Sequence, residues 1–172
     1  MRKKLLSLCC AFLLMAGSVV AFTGEVQAEE GESRPMIDGS YLIQEDESVR
    51  YDTKTTRGAD LLTGYSKAVR LGPDLFYAGG STIASHVVDR VGIAVLVERA
   101  QEGDEQWDFY DTWQKFNENI DKVSANRQLK VEGGYYYRVR CTHSAGQDMS
   151  SSFTDGVYIP GSQILPGIPE IG

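Results

Sequence analysis

Apolar and polar residues alternate with a period of two through much of the chain. In Val91-Gly-Ile-Ala-Val-Leu-Val-Glu98, the residues Val91, Ile93, Val95 and Val97 share one side. β-Branched residues at every second position predict a strand with one buried face. Tyr135 to Cys141, entered through Gly133-Gly134, repeats the pattern. Tyr135, Tyr137, Val139 and Cys141 then share one face, and Tyr136, Arg138, Arg140 and Thr142 share the other, which its charges mark as solvent-facing. Leu129-Lys130-Val131 follows the turn residues Ala125-Asn126, and weaker strands are expected over Tyr65–Leu71, Leu75–Tyr77 with Ile83–Val88, and Ser152–Ile159. Gln101–Glu105, Gly72-Pro73 and Ser144-Ala145-Gly146 read as turns. Trp107 to Val123 admits two readings. Trp107, Tyr110, Trp113, Phe116, Ile120 and Val123 recur every three or four residues, as in an amphipathic helix, whereas the Gly103-Asp104 turn and the density of aromatics favour a strand over Trp107–Trp113, the reading adopted. About seven short strands without βαβ alternation predict an all-β domain, an antiparallel β-sandwich over residues 60–159.

The ends of the chain differ from this centre. Arg2, Lys3 and Lys4 precede an apolar run from Leu5 to Phe22, and Val26-Gln27-Ala28 offers small residues for processing. This pattern predicts a signal peptide over residues 1–28, cleaved after Ala28, and hence a secreted or envelope-associated protein without a stable membrane anchor. Cys9 and Cys10 depart with it, leaving Cys141 as the one thiol, so stability has to come from the core. Residues 29–59 carry eight acids and read as a polar, acidic, mostly extended and partly disordered leader, in which Tyr41-Leu42-Ile43 is a short apolar run able to dock as an edge strand. Pro160, Pro166 and Pro169 make residues 160–172 an extended tail.

Two resemblances extend this reading. Val131-Glu-Gly-Gly134-Tyr-Tyr-Tyr137-Arg-Val139-Arg-Cys141 resembles the penultimate strand of fibronectin type III domains. The resemblance implies an immunoglobulin- or fibronectin-III-like sandwich in which Tyr137 is a corner tyrosine, its ring buried and its hydroxyl bonded to backbone upstream. Over roughly Arg57 to Ile159, the chain also resembles a family of small exported proteins of uncharacterised function from Gram-positive bacteria. The residues that carry this are Arg57-Gly58, Gly80-Ser-Thr82, Val91-Gly-Ile-Ala-Val95, Trp107, Gly133-Gly-Tyr-Tyr-Tyr-Arg-Val139, Thr142-His143 and Thr154-Asp-Gly156. That resemblance implies export and one β-rich domain, and no activity.

Composition narrows the chemistry. A net charge of −7 opposes binding to phosphate backbones, which excludes a nucleic acid as the expected partner. Beyond the signal peptide only His86, His143 and Cys141 join the scattered acids as metal ligands, and no His-Glu-x-x-His, EF-hand or phosphate loop is present, so neither metal nor cofactor is expected. Cys141 lies on an apolar face, where a thiol behaves as a small hydrophobe. Both histidines lie where strands are expected to end, and no Gly-x-Ser-x-Gly elbow accompanies them. Arg57-Gly-Ala-Asp60 has one residue too many for an integrin tripeptide. Leu165-Pro-Gly-Ile-Pro169 lacks the threonine of a sortase signal. What remains is aromatic. Trp107, Tyr110 and Trp113, with Phe109 between them and Tyr136 on the following strand, are either core rings or an exposed platform for a sugar or a protein partner. The expectation is a secreted, non-enzymatic binding module with an unknown extracellular protein or glycan as ligand. The alternatives are an envelope domain that self-associates through a sheet edge and a carboxylate-based hydrolase.

Overall fold

A computed structural model describes residues 34–53 and 58–161. The expected signal peptide and the tail beyond residue 161 lie outside the described residues. Those described form nine strands: β1 (Met36–Ile37), β2 (Ser40–Ile43), β3 (Glu47–Tyr51), β4 (Leu61–Arg70), β5 (Leu75–Ala100), β6 (Asp108–Lys130), β7 (Tyr135–Ala145), β8 (Asp148–Phe153) and β9 (Gly156–Ile159). The sheet order is β1-β2-β9-β7-β5-β4-β3, with β6 on the remaining side of β5 and β8 beside β7. The protein is all-β, as the alternation predicts, and the helical spacing of Trp107 to Val123 is overridden by strand pairing with β5. The expectation of a purely antiparallel arrangement is corrected. β2 lies parallel to β9 through Leu42↔Gly156 and Ile43↔Val157, so the sheet is mixed, and it curls through half a barrel. The parallel pair arises because β2 arrives from the distant N-terminal segment rather than through a hairpin.

Two long strands make the curl. Segments that read as separate strands, Leu75–Tyr77, Ile83–Val88 and Val91–Glu98, are one strand, β5. β6 pairs with it on both sides of a break at residues 84–87, while the other side of β5 pairs first with β4 and then with β7. The register shifts between Ile83 and Val88, which pair with Lys122 and Ile120, next to Asn119, whose φ is +51°. A bulge of this kind bends a strand and lets the sheet curl over on itself. The first part of β5 thereby faces β7: Phe76 meets Tyr137 with ring centroids 5.4 Å apart, and the Cys141 thiol lies 3.8 Å from the Gly79 carbonyl. Between them lies the main core, which includes Ile93, Val95, Val97, Val139 and Val157. Gly80 is at the closest approach, where an added Cβ would lie 2.2 Å from the Tyr65 carbonyl and 2.9 Å from the Cys141 sulfur. Gly80→Ala is therefore expected to lower stability by about 1–3 kcal/mol, as overpacking does, measured by urea denaturation.

The N-terminal segment is part of the fold. Residues 36–51, expected within an extended leader, supply β1 to β3, and Asp38-Gly39, with φ of +45° and +76°, forms the two-residue turn of the β1–β2 hairpin. This segment corrects a second expectation, that Tyr136 and Arg138 face solvent. Ile37 and Leu42 cover them together with Ala100 and the partly buried Trp107, which makes a second, smaller core. Arg138 is 1% exposed. Its Nε donates to Glu98 (2.8 Å), Nη2 to the Asp38 carboxylate (2.9 Å), and Nη1 to the Asp38 carbonyl and the Ser40 hydroxyl (both 3.1 Å). The guanidinium also lies over the Trp107 ring at 4.6 Å. A charge can occupy this interior because it is paired and almost fully hydrogen-bonded.

Candidate functional site

The four aromatic residues singled out from the sequence do not share one surface. Tyr136 is buried in the smaller core, its ring tilted against Tyr158 and its hydroxyl accepting from Gln44. Trp107 packs against the same core and donates its indole N–H to the Ile37 carbonyl at 2.9 Å. Tyr110 and Trp113 belong to the main core's margin. Tyr110 meets Tyr137 edge to face and donates to the Lys130 carbonyl, and Arg127 lies over Trp113 at 4.7 Å. Phe109 between them is exposed and apart. Strand alternation and the bulge between Val97 and Glu98, opposite Tyr110, send these rings to different places.

Exposed aromatics gather elsewhere. A groove of about 470 Å³ opens where β2, β3 and β8 meet, lined by Tyr41, Tyr51, Phe153, Arg50, Asp155 and Ser151. Tyr41 is 44% and Tyr51 66% exposed. Two local features build the groove. β3 pairs antiparallel with β4, and Tyr51 at its end rests against Tyr65 with centroids 5.8 Å apart. Along β7 the register shifts between Phe153 and Val157, so that the β8–β9 side holds one residue more, and the bulge falls at Thr154-Asp155. The Thr154 hydroxyl accepts from the Val139 N–H, anchoring the bulge, and Asp155 turns toward β3. Its carboxylate accepts from Arg50 at 2.7 Å, from the Tyr41 N–H at 3.2 Å and from Ser48 at 3.4 Å. Rings, a half-exposed guanidinium and a carboxylate fixed by three donors are thus brought to one concave surface, of the size and make-up of small-ligand sites. Sequence reasoning missed it because Tyr41 and Tyr51 lie in the acidic leader. The signal available was Asp38-Gly39 followed by Tyr41, a hairpin turn before an aromatic strand.

Other chemistry fits the described residues less well. His143 is not at a strand end but inside β7, fully buried. Thr82 donates to the Gly92 carbonyl and so accepts from His143 Nδ1 (2.9 Å), which leaves Nε2 to accept from Ser152 (2.8 Å). Burial lowers its pKa to about 4, against a small opposing effect of Asp52, so the ring is a neutral structural link. Burial pushes the Cys141 thiol up to about 12, far from a reactive thiolate. Ser85, His86 and Asp60 do form a surface chain, with Ser85 Oγ 2.9 Å from His86 Nδ1 and His86 Nε2 3.3 Å from Asp60. However, the Ser85 oxygen faces the Ala59 and Asp60 carbonyls at 2.5 and 3.2 Å, which oppose the negative charge of a tetrahedral intermediate. Among the described residues no three metal-ligating side chains converge. A larger hollow, about 520 Å³, is lined by Asp52, Gly58, Ala59, Leu61, Thr63 and Ser85 among the described residues. The chain matches no protein-family model, no curated protein and no solved structure. The groove therefore stands on its geometry alone.

Proposed function

We propose that the protein is a secreted, non-enzymatic β-sandwich module that binds a glycan outside the cell through the Tyr41–Tyr51–Phe153 groove. The observation that carries this reading is the groove's pairing of exposed aromatic rings with the Arg50–Asp155 ion pair. Aromatic faces cover the apolar faces of sugar rings, and fixed donors and acceptors at their margin bond the hydroxyls that fan out from them. Because Tyr51 is largely exposed, its removal leaves the core intact. Export rests on the N-terminal sequence pattern, the basic start followed by an apolar run and small residues. Titration calorimetry of the purified protein with chito-oligosaccharides, cello-oligosaccharides and muropeptides tests the reading. Binding by one class is expected, with affinity reduced at least about tenfold in Tyr51→Ala, as for an aromatic anchor, and an unchanged melting temperature. An absence of binding by all three, or binding indifferent to Tyr51→Ala, contradicts it.

A further inference from the structure

β6 is 23 residues long and, among the described residues, pairs with β5 alone. Its outer edge therefore has no strand partner, the kind of edge that templates strand addition, although side chains of β6 itself cap the Thr112 N–H and the Lys122 and Lys130 carbonyls. Phe109, Phe116 and Ile120 on this strand are exposed. The strand is bent, so its two arms face each other across the mouth of the curl. Asp111 meets Arg127 at 3.6 Å, the Tyr110 hydroxyl donates to the Lys130 carbonyl at 2.7 Å, and Asn117 donates to the Lys122 carbonyl at 3.3 Å. Charge is divided between the arms. Asp108, Asp111 and Glu118 outnumber Lys115 in the first, whereas Lys122, Arg127 and Lys130 outnumber Asp121 in the second.

We propose that β6 is a homodimer interface, with the first arm of each copy hydrogen-bonded antiparallel to the second arm of its partner. A two-fold axis parallel to the strands brings each acidic arm beside a basic one. It also preserves height along the strand, so residues that face each other within one chain become neighbours between chains, and the register is fixed. The other antiparallel choice, each arm beside its own copy, places acid against acid and base against base. The contact is isologous and closes at two copies. It is independent of the glycan reading, because the groove lies at β2, β3 and β8.

Light scattering across a concentration series tests this first. Twice the mass of one chain is expected, reverting toward one chain at high salt as the arm-to-arm attraction is screened. A monomer up to the solubility limit overturns the proposal. In Gln114→Pro, which blocks the free edge while sparing an exposed position, the dimer is expected to be lost with the far-ultraviolet circular dichroism unchanged. A folded variant that stays dimeric moves the interface away from β6. Cross-linking decides even if that variant misfolds. In a chain carrying Cys9→Ser and Cys10→Ser, Gln114→Cys and Asn126→Cys, one from each arm, are expected to form a disulfide-linked dimer when mixed and far less when oxidised separately, because the buried Cys141 does not compete. Cross-linking of Gln114→Cys to itself alone contradicts the arrangement.

Discussion

Arg138→Ala is expected to destabilise the protein by about 3–5 kcal/mol, the cost of breaking a buried ion pair from one side, measured by urea denaturation. The loss has two parts. Among the described residues Glu98, itself mostly buried, is left with Arg140 at 3.7 Å, and the Asp38 carbonyl and Ser40 hydroxyl lose a donor. Trp107 loses the cation above its ring as well. The orphaned charge is separable from the lost packing. Adding Glu98→Gln to Arg138→Ala is expected to restore part of the stability, since an uncharged amide no longer demands a counter-ion, whereas a loss due only to the cavity is not restored. Tryptophan emission reports the same event, because Trp107 is held by Arg138 and by the Ile37 carbonyl on the β1–β2 hairpin. A shift of emission to longer wavelength below the global transition would show the hairpin leaving first.

The second large effect is a fall in stability on mild acidification. His143 is neutral in the fold, with its pKa lowered to about 4 by burial, while in the unfolded chain it takes a proton below its ordinary value of 6.5. Between these two values the unfolded state binds more protons, so unfolding becomes easier as pH falls. Stability is level above about pH 6.5 and is expected to have lost about 3 kcal/mol by pH 4. Asp38, held below its ordinary range by its hydrogen bond and attraction to Arg138, and the exposed Glu45, held below its own by a backbone hydrogen bond, act only below their ordinary values of 3.8 and 4.5, so the window above pH 4.5 is left to His143. His143→Gln, which can still bridge Thr82 and Ser152, is expected to flatten the pH profile between 4.5 and 6.5. A profile equally steep in the variant would place the linkage in another group.

Residues whose environment is set by neighbours in sequence were legible. The period-two run Val91 to Val97 and the turn at Gly103-Asp104 fall where the pattern places them. Tyr137 has the buried ring expected of it, with its hydroxyl 2.9 Å from the Glu132 carbonyl and its pKa raised to about 12 by burial. Arg138 was illegible for a physical reason. Alternation reports which side of a strand a residue takes, but not whether a distant segment covers that side, and its partners Asp38 and Ser40 lie about a hundred residues away. Long strands were also hidden, because the irregularities at Ile83–Val88 and Val97–Glu98 break the pattern while the pairing of β5 with β6 resumes beyond each. Composition misled at the leader, where acids such as Asp38 and Asp46 serve as partners for Arg138 and Arg70 rather than as solvating charge.

The groove inherits both difficulties. It joins two exposed tyrosines from an acidic segment to a carboxylate that a bulge redirects from more than a hundred residues away. The aromatic cluster around Trp113, more conspicuous in the sequence, is instead bound up in packing and in the mouth of the curl. Mapping amide chemical shifts by nuclear magnetic resonance, with the oligosaccharide that binds in calorimetry, decides between these surfaces. Perturbations are predicted at residues 39–53 and 151–155, around Tyr41, Tyr51 and Asp155. Perturbations confined to residues 107–113 and 136 would contradict the assignment and return the site to the sequence's first candidates.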